Sequence, residues 1–116
     1  MRYCLIFAGL LVITSAQAEE IIKPENSVWD TTAPGACAKA IYPQQSRRNE
    51  ETGFVALTFH IGLDGRVVDS EVIRSSKFPL LDEASRDIIM SCVFPLKANK
   101  TPAQEFQKVG YKWALS

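Results

Sequence analysis

Few side chains in this chain of 116 residues have the types and spacing that chemistry requires. His60 is the single histidine, and it needs an acid such as Asp64 and a nearby serine to act as a general base. Its place in an alternating run, two residues after Thr58, favours a surface or lightly packed side chain instead. The sequence also contains no Gly-x-Ser-x-Gly, His-Glu-x-x-His or Gly-x4-Gly-Lys-Ser/Thr motif. We therefore expect no catalytic residue, and a small secreted hydrolase using His60 is the weakest functional hypothesis.

The densest group of carboxylates consists of Asp82, Glu83 and Asp87. These residues stand at the start of a predicted helix, where the helix dipole stabilises negative charge, so we interpret them as helix-start charges and a solvated face. A zinc site would have to combine two cysteines with the single histidine, which gives three ligands and no closely spaced pair. We predict no metal and no cofactor.

Residues 1–18 have the layout of a cleavable export signal. Arg2 supplies one positive charge, residues 4–13 are apolar, and small residues ending at Ala18 precede Glu19. The apolar run is about half of the roughly 20 residues that cross a bilayer, which makes a retained anchor the weaker alternative. We predict cleavage after Ala18 and no membrane span in the mature chain.

Two cysteines, Cys37 and Cys92, follow the predicted signal, while Cys4 lies within it. An even pair in an exported chain favours a disulfide, with two buried thiols as the alternative. Closing a loop of 92 − 37 = 55 residues would stabilise the fold by about 4 kcal/mol in the chain-entropy description.

Composition predicts one small folded domain, with 47% hydrophobic and 22% charged residues. Basic and acidic residues number 13 each, so no overall field attracts nucleic acid or an anionic membrane. We exclude nucleic acid as a partner and expect an extended lead-in over residues 19–35, with Val28 or Trp29 contacting a domain that spans residues 36–116.

The strands of that domain follow from a period of two. Residues 55, 57, 59 and 61 place apolar side chains on one face, and Asp64-Gly65 then predicts a hairpin turn. A second strand, over about residues 66–75, alternates imperfectly, which is typical of an edge strand. A third alternates over residues 107–115, with Trp113 on its apolar face and therefore in the core.

Two helices complete the pattern. Pro43 starts a short helix that continues to about Asn49, and residues 81–92 carry an apolar stripe of helical period. Pro95 ends the second helix by Val93. The order α-β-β-α-β predicts an α+β fold, in which two helices cover one face of a three-stranded antiparallel sheet, the strand of residues 55–61 is central and two edges stay open.

Six short motifs in this order and spacing resemble the TonB carboxy-terminal domain family. The resemblance covers the chain from about Ala36 onward. The motifs are Tyr42-Pro43, Gly53-x-Val55, Asp64-Gly65-Arg66-Val67, Ser75-Ser76, Leu81-Asp82-x-Ala84 and Phe94-Pro95.

The resemblance implies a periplasmic, non-catalytic binding domain linked to transmembrane transport. In that family an edge strand near the carboxy terminus captures an extended peptide, the TonB box, of an outer-membrane receptor. The corresponding residues here are Phe106, Gln107, Lys108, Val109, Gly110, Tyr111, Lys112 and Trp113.

The sequence also departs from that family. Full-length transducers keep an uncleaved helix and a proline-rich spacer, neither of which we recognise here. The pair Cys37 and Cys92 resembles a variant of the family with a disulfide between the lead-in and the second helix.

Two groups of basic residues leave alternatives open. Arg47 and Arg48 either form ion pairs with nearby glutamates or contact a partner's carboxylate or peptidoglycan. Lys108 and Lys112 either discourage unwanted strand pairing or flank an edge that accepts one chosen strand. The leading hypothesis is therefore a protein-binding or peptide-binding module. The alternative is a structural or assembly protein of the cell envelope, acting by self-association or peptidoglycan attachment, and the oligomeric state is not predicted.

Overall fold

The computed structural model describes residues 21–115, within which three antiparallel strands form one sheet in the order β2-β1-β3. The predicted signal and its cleavage point lie outside the described residues. The elements are α1 (Gln44–Arg48), β1 (Gly53–Ile61), β2 (Val67–Arg74), α2 (Pro79–Met90) and β3 (Glu105–Trp113), preceded by a 3-10 turn at Pro24–Asn26. The predicted α+β fold, with its order of elements and central strand, is confirmed.

The apolar face of β1 forms the centre of the core. Val55, Leu57 and Ile61 are fully buried because β1 pairs on both sides and α2 packs across this face. The turn after β1 requires glycine at position 65, where φ is 86° and a Cβ atom would lie 2.3 Å from the carbonyl oxygen of Phe94. The Asp64-Gly65 signal therefore marks a turn that other residues cannot form without strain.

Strand β2 is an edge strand with two irregularities. The β1 register shifts between Ala56 and Leu57 and again between His60 and Ile61. The residues thereby left without partners, Val68 and Ile73, are 52% and 49% exposed. These bulges explain why the apolar pattern of β2 alternates imperfectly.

Hydrogen bonds from two serines connect the segment before α2 to the first turn of this helix. The Asp82 carboxylate accepts hydrogen bonds from the Ser75 hydroxyl, from the Ser76 hydroxyl and from the Ser76 backbone N–H. Burial alone would raise the pKa of Asp82, but these hydrogen bonds outweigh it and hold the pKa below its ordinary value. The helix ends at Met90, within the predicted limit.

The lead-in is part of the core. Trp29 is only 3% exposed, and its indole N–H donates to the Ala103 carbonyl at 2.8 Å. Cys37 and Cys92 form a disulfide, as predicted, which fastens the segment before α1 to the end of α2. An aromatic side chain therefore anchors the lead-in, and a covalent bond anchors the segment that follows it.

Candidate functional site

One long edge of the sheet belongs to β3, whose other side pairs with β1 over its whole length without a bulge. In an antiparallel ladder, the backbone groups of successive residues point alternately toward and away from the partner strand. The Phe106 carbonyl points away from β1, because it accepts a hydrogen bond from the Ile22 N–H at 2.8 Å. The alternation therefore directs the N–H and C=O groups of Lys108, Gly110 and Lys112 outward as well.

The start of this edge is already occupied by the chain's own lead-in. Ile21 pairs in parallel with Phe106, and the following residues turn away into the 3-10 turn of residues 24–26. The part of β3 beyond this contact runs from Lys108 to Lys112, and we call it the open edge. It is shorter than the range of residues 106–113 that the sequence resemblance indicates.

A buried polar cluster fixes the lead-in beside β3. The Glu105 carboxylate is 5% exposed and accepts hydrogen bonds from the Ser27 hydroxyl, from the Gln107 side-chain amide at 3.1 Å and from the Val28 N–H at 2.8 Å. These donors satisfy a carboxylate that would otherwise be costly to bury. This cluster was not predicted from the sequence. The contact of the lead-in with β3 had one weak signal, the two adjacent β-branched residues Ile21 and Ile22, which favour a strand.

Side chains of alternate β3 residues lie on the face of the sheet opposite α2, which we call the open face. A Cβ atom at Gly110 would lie 2.4 Å from Cζ of Phe54, so the aromatic ring rests directly against the glycine. The Arg74 guanidinium carbon lies 5.2 Å from the centroid of this ring. Lys108 and Lys112 are exposed on either side of Gly110. This end of the open face therefore combines an aromatic ring with three cations.

The other end of the open face carries His60 and acidic residues. The imidazole of His60 stacks on the Phe106 ring, with centroids 4.4 Å apart, and its Nε2 lies 2.8 Å from Oε1 of Gln104. Asp64 is engaged elsewhere, at 3.5 Å from Arg66. The structure therefore gives His60 an aromatic and an amide partner, and its proposed acid belongs to the hairpin turn.

Four other residues of the predicted binding strand belong to the helix-covered face. Gln107 and Trp113 are buried, and the Trp113 indole N–H donates to the Ser85 hydroxyl at 2.8 Å. Val109 and Tyr111 are half-buried, and burial raises the pKa of the Tyr111 hydroxyl. The prediction that Trp113 is a core residue is confirmed.

Arg47 and Arg48 are exposed in the last turn of α1. The guanidinium carbon of Arg47 lies 5.8 Å from the centroid of the Tyr42 ring, which in turn packs edge-on against Trp113 with centroids 5.2 Å apart. Across residues 21–115, the recorded ion pair within 4 Å joins Arg66 to Asp64, so the arginine-to-glutamate pairs considered from the sequence are not formed. The Tyr42 ring thus lies between Arg47 and Trp113, the last residue of β3.

The part of the chain that the structure describes shows no sign of a metal site or of a membrane-spanning helix. It contains no group of three or more histidine, cysteine, aspartate or glutamate residues placed to hold a metal ion. Within the same residues, no helix has both the length and the apolar character needed to span a bilayer.

Comparison with known proteins agrees with the fold. The family model of the Gram-negative bacterial TonB protein C-terminal matches residues 38–113. Among solved structures, the solution NMR structure of the Pseudomonas aeruginosa TonB CTD is similar in fold, with a TM-score of 0.63 and 17% sequence identity. The match covers 78% of this chain and 97% of that chain. No curated protein sequence matches significantly.

Proposed function

Because the chain belongs to the family of Gram-negative bacterial TonB protein C-terminal domains, and is thus a TonB-type protein-binding module, we propose that it holds an extended peptide as an added strand on β3. The observation that carries this proposal is the outward direction of the N–H and C=O groups of Lys108, Gly110 and Lys112. Backbone hydrogen bonds to these groups would supply affinity, and neighbouring side chains would supply specificity.

The lead-in limits where the peptide can bind. Since Ile22 already uses the Phe106 carbonyl, the added strand pairs with the open edge, residues 108–112. Five residues of a strand span about 13–17 Å. The contact surface is therefore short, which favours reversible capture over permanent assembly.

The proposed setting is the periplasm, reached through the predicted signal of residues 1–18. The proposed partner is the TonB box of an outer-membrane receptor or an extended segment of another envelope protein, and the module acts in transmembrane transport without catalysing a reaction. Family membership and the balance of basic and acidic residues, 13 of each, support a protein partner over nucleic acid.

A titration followed by NMR tests strand addition. Peptides from the amino-terminal segments of outer-membrane receptors are added to the purified protein, and the amides of Lys108, Gly110 and Lys112 are expected to shift most. Amides of the opposite edge strand, residues 67–74, serve as the internal control. If none of the peptides shifts the open-edge amides, the proposal is wrong.

A methylated series then tests the backbone pairing itself. Each peptide carries one N-methyl group, moved along the backbone one residue at a time. Methylation of an amide that faces β3 removes a donor and adds a clash, so affinity should fall about tenfold or more at every second position. A series without this period of two would contradict binding as a strand.

A further inference from the structure

The two lysines of the open edge are placed symmetrically around Gly110. Lys108 lies opposite Thr58 and Lys112 opposite Phe54 in the register with β1, so neither faces an acidic residue across that pair of strands. Within the described residues 21–115, neither lysine forms an ion pair at 4 Å or less. The two side chains are exposed and, four residues apart, have Cα atoms separated by about 13 Å.

An added strand must place its own side chains beside these lysines. Residues directly opposite each other in neighbouring strands point to the same face of a sheet, and every second residue shares that face. If one peptide residue lies opposite Lys108, the residue two positions away lies opposite Gly110 and the residue four positions away lies opposite Lys112. This matching of positions is the same for parallel and antiparallel peptides, because Lys108 and Lys112 each lie two residues from Gly110.

We infer that the segment held by β3 carries carboxylates at two positions four residues apart, with an apolar side chain midway between them. The inference rests on the proposed function and adds the chemistry of the partner to it. The carboxylates pair with Lys108 and Lys112, and the apolar side chain lies beside the ring of Phe54, which is 38% exposed over Gly110.

The nearby charges favour the same partner. Arg74 lies over Phe54 on the side away from β3 and adds a third cation to this end of the open face. Of the acidic residues of this face, Asp69 lies opposite His60, toward the other end of the sheet. Glu71 lies in the same row as Lys108, but Thr58 of β1 stands between them and Glu71 is on the opposite edge strand. An approaching segment with two carboxylates is therefore attracted to the open edge at the Gly110 end.

A second copy of this chain is a poor occupant for the same reason. Two β3 strands that pair antiparallel about Gly110 place Lys108 of one copy directly opposite Lys112 of the other. Like charges at directly opposite positions destabilise strand pairing. The lysines therefore oppose self-association through this edge, while they accept an acidic strand.

A peptide panel tests the spacing. Capped seven-residue peptides with a common apolar centre carry glutamate at positions 2 and 6, glutamate at positions 3 and 5, glutamine at 2 and 6, or lysine at 2 and 6. Glutamates two residues apart reach at most one of the two lysines in any register. The first peptide should bind the purified protein about 2- to 30-fold more tightly than the glutamine peptide, and the second should fall between them.

Charge reversal tests the assignment to these two residues. The variant Lys108→Glu/Lys112→Glu should reverse the ranking, so that the lysine peptide binds most tightly. The control variant Lys39→Glu/Lys100→Glu changes the net charge by the same amount at two exposed lysines outside β3, and it should keep the original ranking. A control variant that reverses the ranking as strongly would attribute the preference to overall charge and overturn the inference.

The outcomes separate this inference from the proposed function. Shifts of the Lys108, Gly110 and Lys112 amides with equal affinities for all four peptides would overturn the carboxylate pattern and leave strand addition standing. Equal affinities for the two glutamate peptides would also overturn the pattern. If receptor peptides shift these amides and no panel peptide does, the carboxylate pattern is overturned and strand addition stands. If neither receptor nor panel peptides shift them, strand addition itself is wrong. Should the reversed variant fail to fold, the ranking on the unaltered protein decides the question.

Discussion

Replacing Trp29 with alanine should destabilise the whole domain, although Trp29 lies outside the residues matched to the family. The side chain is 3% exposed and belongs to the hydrophobic core together with residues of β1, α2 and β3. Removing a buried tryptophan costs about 3–5 kcal/mol. The loss of the indole donor also leaves the Ala103 carbonyl without its partner at 2.8 Å. We therefore expect the free energy of unfolding to fall by about 4 kcal/mol.

Urea unfolding of the full chain, followed by far-UV circular dichroism, measures this change without relying on the fluorescence that the variant alters. Trp29→Phe keeps an aromatic ring but removes the N–H donor, so its loss should be smaller. Ile41→Ala is the control, since Ile41 is 78% exposed, and it should change the stability by less than about 0.5 kcal/mol.

One outcome of this experiment would contradict the prediction. If Trp29→Ala costs no more than Ile41→Ala, the lead-in is not part of the folded core. The position of Ile22 on the edge of β3 would then lose its anchor, and the limitation of the binding edge to residues 108–112 would have no structural basis.

Three further predictions concern the disulfide, the hydrogen-bonded Asp82 carboxylate and Gly110. Reducing the Cys37–Cys92 bond should lower the unfolding free energy by about 4 kcal/mol in urea, and a loss below 1 kcal/mol would contradict the loop-closure account. The Asp82 pKa is lower in the folded state than its ordinary value of 3.8, so its stabilising effect is present above that pH and is lost as the pH falls below it. The stability difference between the protein and Asp82→Asn should accordingly shrink in acid, and a constant difference would refute the assignment. Gly110→Ala should displace the Phe54 ring at a cost of about 1 kcal/mol, visible as shifted ring resonances, and unchanged resonances would contradict the close contact.

Periodicity predicts those helices and strands whose buried face can be read from consecutive residues of the sequence. β1 alternates because one of its faces meets the core, and α2 carries an apolar stripe because it covers that face. The turn at Gly65 was predictable because its positive φ depends on the residue itself. In each case the side chain's own type determines the local structure.

The lead-in could not be predicted in this way, because distant residues decide its structure. The buried Ser27 hydroxyl donates a hydrogen bond to Glu105, 78 residues later in the chain, and Trp29 is buried against strands that come after it. The same reason explains why the resemblance alone indicates residues 106–113 without the contact of the lead-in. The family match begins at residue 38, so it contains no information about the contact of Ile22 with Phe106.

The two interpretations of the edge lysines are consistent once the register is known. Lysine discourages strand pairing when the approaching strand is neutral, apolar or another copy of the same edge, since the charges then meet no partner or meet each other. It favours pairing when the approaching strand brings carboxylates at the matching separation. Because Lys108 and Lys112 flank a glycine and lie four residues apart, on this inference one pair of side chains both opposes pairing with a second copy and favours an acidic segment. Specificity at a sheet edge then depends on the spacing of charges along the visiting strand, since the backbone hydrogen bonds are the same for any sequence.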